Sequence, residues 1–209
     1  MQVLSHRGYW LNAAEKNTTA AFERSFQLGF GTETDLRDLG GALVVSHDPP
    51  ADGALSLDAL LATYFAHDNR LPLAINVKSD GLQSMLCEVL EKRAPANYFV
   101  FDMAVPDALG WLRRGVPAFT RQSELESEPA FYSQAAGVWL DSFFGEWWGA
   151  ATVRGHLNAG KNVCIVSPEL HGREPRAVWE KLATFDFRND PRVMICTDYP
   201  EAALKVLHG

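Results

Sequence analysis

"GTETDLRDLGGALVVSHDPP", residues 31–50, is the stretch whose reading decides the fold. Its first seven residues alternate, which places Glu33, Asp35 and Arg37 on one face of a strand, because successive side chains point to opposite sides. The surrounding chain is apolar, follows a helix pattern and precedes a second strand, so the strand is expected to be buried. Carboxylates two residues apart on one strand stand roughly 6–7 Å from each other. In an interior they do not both ionise cheaply without a cation that each can reach. Gly40-Gly41 lies between two apolar-alternating segments and signals a hairpin. "LVVSH" then folds back antiparallel, landing His47 opposite residues 33–34, with Arg37 turned toward the strand end and the hairpin. A one-residue slip reverses a side chain's face, so the register decides where His47 points.

Outward from this strand, short β-branched or aromatic runs alternate with amphipathic stretches. The runs are "QVLSHRG" near 2–8, "GTETDLR" at 31–37, "LPLAINVK" at 71–78, "YFVFDM" at 98–103, "VPAFTR" at 116–121, "GVWLDS" at 137–142, "NVCIVSPEL" from 162 and "RVMICTDYP" from 192. Helix candidates fall between them. In "NTTAAFERSFQLG", Ala21, Phe22, Phe26 and Leu28 share a stripe and Gly29 is a stop. "DGLQSMLCEVLEKRA", "PRAVWEKLA" and a final "PEAALKVLH" read the same way. Eight strands with intervening helices predict an α/β chain, a compact (β/α)₈ TIM barrel with a β-hairpin inserted after strand 2, forming one domain over residues 1–209. The alternative, an open doubly wound sheet, lacks its glycine-rich phosphate fingerprint after strand one.

Composition narrows the partners. Hydrophobic residues make up 47% and charged residues 22%, ordinary for a globular chain. A net charge of −7 argues against nucleic acid or an anionic membrane surface as the main partner. Cys87, Cys164 and Cys196 lack zinc spacing and are too few for a disulfide framework, and the last two read as buried apolar thiols. The N-terminus has no signal-peptide pattern and no apolar run spans a bilayer, so a cytoplasmic protein without stable membrane association is expected.

Polar groups end every strand: His6-Arg7, Glu33 and Asp35, Asn76 and Lys78, Asp102, Arg121, Asp141, Glu169 and His171, and Asp198. In a barrel these ends converge on one mouth. Two carboxylates with an amide or a third acid offer hard oxygen ligands, which suit Mg²⁺ or Ca²⁺. His6 and His47 can serve as base and acid. Arg7, Lys78 and Arg121 can hold a phosphate. The set describes phosphoryl transfer from an ester; no glycine-rich nucleotide loop points to a kinase. Asp102, Glu169 and His171 are further pocket-lining, substrate-binding candidates. "FFGEWW" at 143–148 is expected to pack as helix core, with stacking on a sugar or base, or a lid, as the other readings.

At these residues the chain resembles the glycerophosphodiester phosphodiesterase family. The matching pieces are "HRG" at 6–8, "NTTAAF" at 17–22, the E-x-D of Glu33 and Asp35, "VVSHDP" at 44–49 and "TDYP" at 197–200; from about residue 80 to 190 the match is one of barrel pattern. Spider-venom-type phospholipases D share the barrel and the histidine pair. The resemblance implies a TIM barrel that cleaves a small-molecule phosphodiester with one divalent cation. It places that cation on Glu33 and Asp35, makes His6 and His47 the acid–base pair and Arg7 the phosphate ligand. It also implies attack by a hydroxyl beside the phosphate, giving a cyclic phosphate that water opens.

Two positions depart from the family pattern. "EKN" puts Lys16 where an acid is expected, and Asn76-Val77-Lys78 stands where the family has Glu-x-Lys. Asn76 can still offer a carbonyl oxygen as third ligand, but one negative charge is gone. Weaker cation affinity, or a replacement acid such as Asp102 or Asp80, is expected. The alternative functions are a specialised phosphodiesterase or cyclising lyase in polysaccharide or nucleotide-sugar metabolism, and a non-catalytic phosphate-binding barrel.

Overall fold

A computed structural model describes residues 1–68 and 70–209. Two compact units are distinguished, one of residues 5–118 and one of residues 1–4 with 119–209.

β1 (Gln2–His6), of which Ser5 and His6 belong to the first unit, leads through the His-Arg-Gly turn to α1 (Thr19–Gln27), β2 (Gly31–Leu39) and the hairpin strand β3 (Ala42–Val45). Then follow the two-residue β4 (Leu55–Ser56), α2 (Leu57–Phe65), β5 (Leu73–Val77), α3 (Gln83–Lys92), β6 (Tyr98–Phe101) and α4 (Val105–Arg113). The Thr18 hydroxyl caps α1 by accepting from the Ala21 amide. Ala21, Phe22 and Phe26 face the core, while Gly29 at φ +77° ends the helix. Leu28, expected on the apolar stripe, is instead the C-cap and 48% exposed, because the last turn has already rotated it off the buried face.

β2 is the axis of this unit. It pairs in parallel with β5, with Asp35 opposite Asn76, and antiparallel with β3, with Leu36 opposite Val45. Gly40 and Gly41 make the hairpin turn at φ +57° and +84°, as the glycine pair predicts. β4, which extends the hairpin by pairing with β3, was not legible as a strand in two residues. β5 pairs in parallel with β6. Alternation sorts the faces: Leu36, Leu73, Ile75, Val77 and Val100 join Phe22, Phe26, Tyr64 and Trp111 in one apolar cluster. Glu33, Asp35, Ala74, Asn76, Phe99 and Phe101 have the opposite parity and share the other face. Every residue from Gly31 to Leu36 is buried, so the carboxylates lie in an interior rather than on a wet surface.

The second unit holds β7 (Phe119–Gln122), β8 (Gly137–Leu140), α5 (Ala150–Asn158), β9 (Asn162–Val166), α6 (Arg176–Ala183), β10 (Val193–Thr197) and α7 (Pro200–His208). β7, β8, β9 and β10 pair in parallel, each with the next. The eight strands expected from sequence are therefore β1, β2 and β5 to β10, with β3 and β4 as the insertion. One expected feature is corrected: residues 143–148 form no helix. Trp147 and Trp148 are pinned through their indole N–H groups to the Asp141 carbonyl and the Ser142 hydroxyl, which ties this stretch down as an irregular loop ahead of α5. No helix among the described residues is long and apolar enough to cross a membrane, and the three cysteines are free, Cys164 and Cys196 fully buried.

Candidate active site

The His-Arg-Gly turn is built by close approach. Gly8, at φ +79°, lies where a Cβ would meet the Ala21 Cβ at 2.8 Å, so the turn presses against the start of α1. Its amide donates to the Thr32 hydroxyl at 3.0 Å. Arg7, left-handed at φ +60°, donates its own amide to the Glu33 carbonyl at 3.0 Å and to Glu33 Oε2 at 3.1 Å. The backbone that carries the basic residue therefore also fixes the first carboxylate.

Glu33 and Asp35 are 1% and 0% exposed. Burial first, and then the charge of Asp35, push the Glu33 carboxyl up to about 7, against the pull of His6, Arg7 and Lys78. The His6 Nε2 is 4.0 Å from Glu33 Oε2. Asp35 is held on one side only. Its Oδ2 accepts from Asn17 Nδ2 at 2.8 Å and lies 3.1 Å from Arg7 Nε. Its Oδ1 is buried with no hydrogen-bond donor, and so is the Oδ1 of Asn76 directly across the ladder. Lys78 Nζ stands 3.6 Å from Asp35 Oδ1 and 3.7 Å from Asp102 Oδ2. Asp80, the other candidate acid, is exposed.

The residues present fit a hard divalent cation. Two buried carboxylates and an amide oxygen supply the donor types, and two of the oxygens lack the partners that buried acceptors normally have. No group of three His, Cys, Asp or Glu side chains placed to hold a metal ion occurs among the described residues; the third oxygen of this donor set is an amide's.

His47 follows the hairpin strand. The Ser46 amide donates to the Asp35 carbonyl at 3.0 Å, which sets the histidine beside the acid-bearing strand. Its ring Nδ1 is 2.8 Å from Asp48 Oδ1, with the side chain 44% exposed. Arg37 does turn to the hairpin: its Nε donates to the His47 carbonyl at 3.0 Å. Lys16, at the position of the expected acid, lies over the Trp10 ring at 4.4 Å.

Asn17, which opens the matching stretch at 17–22, has a role that the sequence does not announce. It sits at φ +60°, donates to Asp35, accepts from the Thr34 hydroxyl at 3.3 Å and donates its amide to the Arg7 carbonyl at 2.9 Å. The available signal was an asparagine just before the Thr18 helix cap, since asparagine tolerates left-handed backbone. Asp102 is also left-handed, at φ +69°.

The remaining candidates belong to the second unit. Arg121 is 3.6 Å from Glu126 and 5.7 Å above the Phe143 ring. His171 Nε2 is 2.6 Å from the buried Asp141, its ring 4.7 Å from Phe143. Glu169 accepts from the hydroxyls of Ser167 and Thr197 and from the Asp198 amide, tying the ends of β9 and β10 together.

No family model matches this chain, and no curated protein sequence matches it either. Solved structures do. A glycerophosphodiester phosphodiesterase from Agrobacterium tumefaciens is 20% identical over 100% of both chains, with a TM-score of 0.72. A phosphodiesterase from Oleispira antarctica, solved with the product sn-glycerol-3-phosphate, is 15% identical over 100% of this chain and 97% of its own, at 0.74. A Ca²⁺-dependent phosphatidylinositol-specific phospholipase C from Streptomyces antibioticus is 12% identical over 100% of this chain and 96% of its own, at 0.57. This chain thus has the α/β fold of the glycerophosphodiester phosphodiesterases, which are (β/α)₈ barrels.

Proposed function

We propose that the protein hydrolyses a small glycerophosphodiester or a related polyol or sugar phosphodiester, with one divalent cation, Mg²⁺ or Ca²⁺. The observation that carries this reading is the pair of hydrogen-bond-free buried oxygens, Asp35 Oδ1 and Asn76 Oδ1, beside Glu33, His6 and Arg7. Glu33, Asp35 and Asn76 would hold the cation, which when bound supplies a Lewis acid for a phosphate oxygen.

The chain's own groups have separable tasks. Arg7, fixed by its backbone bonds to Glu33, offers a guanidinium to the phosphate, the role its planar fork suits. His6 and His47 move the protons. One histidine takes the proton of the hydroxyl beside the phosphate as that oxygen bonds to phosphorus. The other protonates the departing alcohol oxygen as its bond to phosphorus breaks. Water then opens the cyclic phosphate with the roles exchanged. Asp48 at His47 Nδ1 favours the tautomer protonated on that nitrogen, which leaves Nε2 to exchange the proton. Lys78, Asp102, Arg121, Glu169 and His171 are assigned to substrate binding. A fold shared over full length with phosphodiesterases supports the same reading.

The test is phosphorus NMR of glycerophosphocholine incubated with the full chain and Mg²⁺ or Ca²⁺. Appearance of cyclic phosphate or phosphate monoester, lost in His6→Ala and in His47→Ala, is the expected result. Undiminished turnover in both variants would overturn the histidine assignment, and no turnover of any glycero- or sugar phosphodiester would overturn the function.

A further inference from the structure

Asp35 Oδ2 is already engaged by Asn17 and Arg7, so a cation can approach Asp35 only at Oδ1. That oxygen faces the Lys78 ammonium. We propose that Lys78 is a built-in counter-cation of this acid cluster, and that a divalent cation binds by displacing the ammonium from Asp35 onto Asp102.

Three observations carry the proposal, which rests on the cation reading of the same site. Lys78 Nζ is 3.6 Å from Asp35 and 3.7 Å from Asp102, looser than a charge-assisted hydrogen bond at about 2.7–2.9 Å. The ammonium therefore neutralises both carboxylates without being locked to either, and its four-carbon stem lets it move between them. The oxygen it leaves open on Asp35 is opposite the open oxygen of Asn76, which gives an entering ion two ligands from adjacent strands. Finally, Asn76 brings no charge, so the ion draws only on Glu33 and Asp35, and a competing positive charge weighs more than it would against three carboxylates. Asp102, which directly follows β6 and its residue Phe101, the ladder partner of Asn76, is the landing place that keeps the displaced ammonium paired.

Titration calorimetry of Ca²⁺ into the cation-stripped full chain tests this. Lys78→Met, which removes the competitor, should tighten Ca²⁺ binding by about tenfold or more, as expected for close charges in a buried site. Asp102→Asn should weaken binding several-fold in the wild-type background, since Lys78 then has Asp35 as its remaining carboxylate. In the Lys78→Met background the same substitution should have no effect, the coupling a double-mutant cycle isolates. Unchanged or weaker binding in Lys78→Met overturns the proposal. Equal weakening by Asp102→Asn in both backgrounds overturns the landing role, because Asp102 then acts on the ion directly. Absence of binding in wild type and Lys78→Met up to about 10 mM Ca²⁺, beyond the weak end of such sites, also overturns it.

If Lys78→Met does not fold, Lys78→Arg replaces it. The guanidinium grips a carboxylate in bidentate fashion and should weaken Ca²⁺ binding; unchanged affinity overturns displacement. Turnover of glycerophosphocholine is scored separately. Displacement without turnover leaves this inference standing and removes the proposed activity, whereas turnover with Lys78→Met affinity unchanged removes the inference alone.

Discussion

Asp35 and Asn76 are direct partners across the parallel ladder of β2 and β5, and each presents a buried oxygen that accepts no hydrogen bond. Unsatisfied buried acceptors normally cost stability, on the order of 1–3 kcal/mol each. Two of them on paired residues are a cost that the proposed cation would offset.

Substitutions at Asn76 should therefore act in opposite directions on stability and on binding. Asn76→Asp adds a third carboxylate: Ca²⁺ affinity should rise by about tenfold or more, while the cation-free chain loses roughly 1–3 kcal/mol from added repulsion. Asn76→Leu, of similar size, removes the orphan oxygen: the cation-free chain should keep or gain stability and Ca²⁺ binding should fall. Denaturant melts with and without Ca²⁺ check both.

Glu33 makes a prediction about pH. Its carboxyl is raised to about 7 by burial and by Asp35, above the ordinary 4.5. Between those values the folded chain holds a proton that the unfolded chain has released. The contribution of Glu33 to stability is thus fully present below about pH 4.5 and is lost as pH rises toward 7. Urea melts in chelator should show this fall, on the order of a few kcal/mol. Glu33→Gln should flatten it, and a Glu33→Gln slope equal to that of wild type would contradict the assignment.

Asn17 combines a left-handed backbone with a bond to Asp35. Asn17→Ala should cost about 1–3 kcal/mol, and Asn17→Gly should recover the backbone part while leaving Asp35 short of a donor. Cation affinity should change alike in the two variants, and only stability should distinguish them, by chemical denaturation.

Gly8→Ala should destabilise by about 2 kcal/mol or more, since its Cβ meets Ala21 and its φ is +79°. Adding Ala21→Gly removes only the Cβ contact: the Ala21 carbonyl carbon at 2.9 Å still collides and glycine inside α1 costs about 1 kcal/mol, so melts should show no rescue.

In the second unit, the proposed role of His171 predicts that His171→Ala raises KM with little change in kcat, the signature of lost substrate binding. Steady-state assays on glycerophosphocholine read the split.

Much of this was written in local pattern. Glu33 and Asp35 stood out because a two-residue period put both in an apolar strand, and Gly40-Gly41 announced the hairpin that returns the chain before His47 alongside that strand. The unread part depended on three-dimensional choice. Asn17 joins Asp35 across eighteen positions through a left-handed turn, which no periodicity records. The aromatics of "FFGEWW" suggest a helix core, but two indole hydrogen bonds decide its loop. Leu28 misled because the stripe continues in sequence one residue beyond where the helix stops. Lys78 was legible as a phosphate ligand or as a neutraliser of the acids, yet its position between Asp35 and Asp102 in particular follows from the pairing of three strands.

Arg7, Asn17 and Asp102 all hold the left-handed backbone around the acid pair. A selection for heat tolerance alone would be drawn to these positions, because glycine there relieves torsional cost. It would tend to trade away Arg7 and Asn17, which hold Asp35, and Asp102, which pairs with Lys78, so a thermostabilised descendant of this protein is best bred under a screen that also scores the proposed activity.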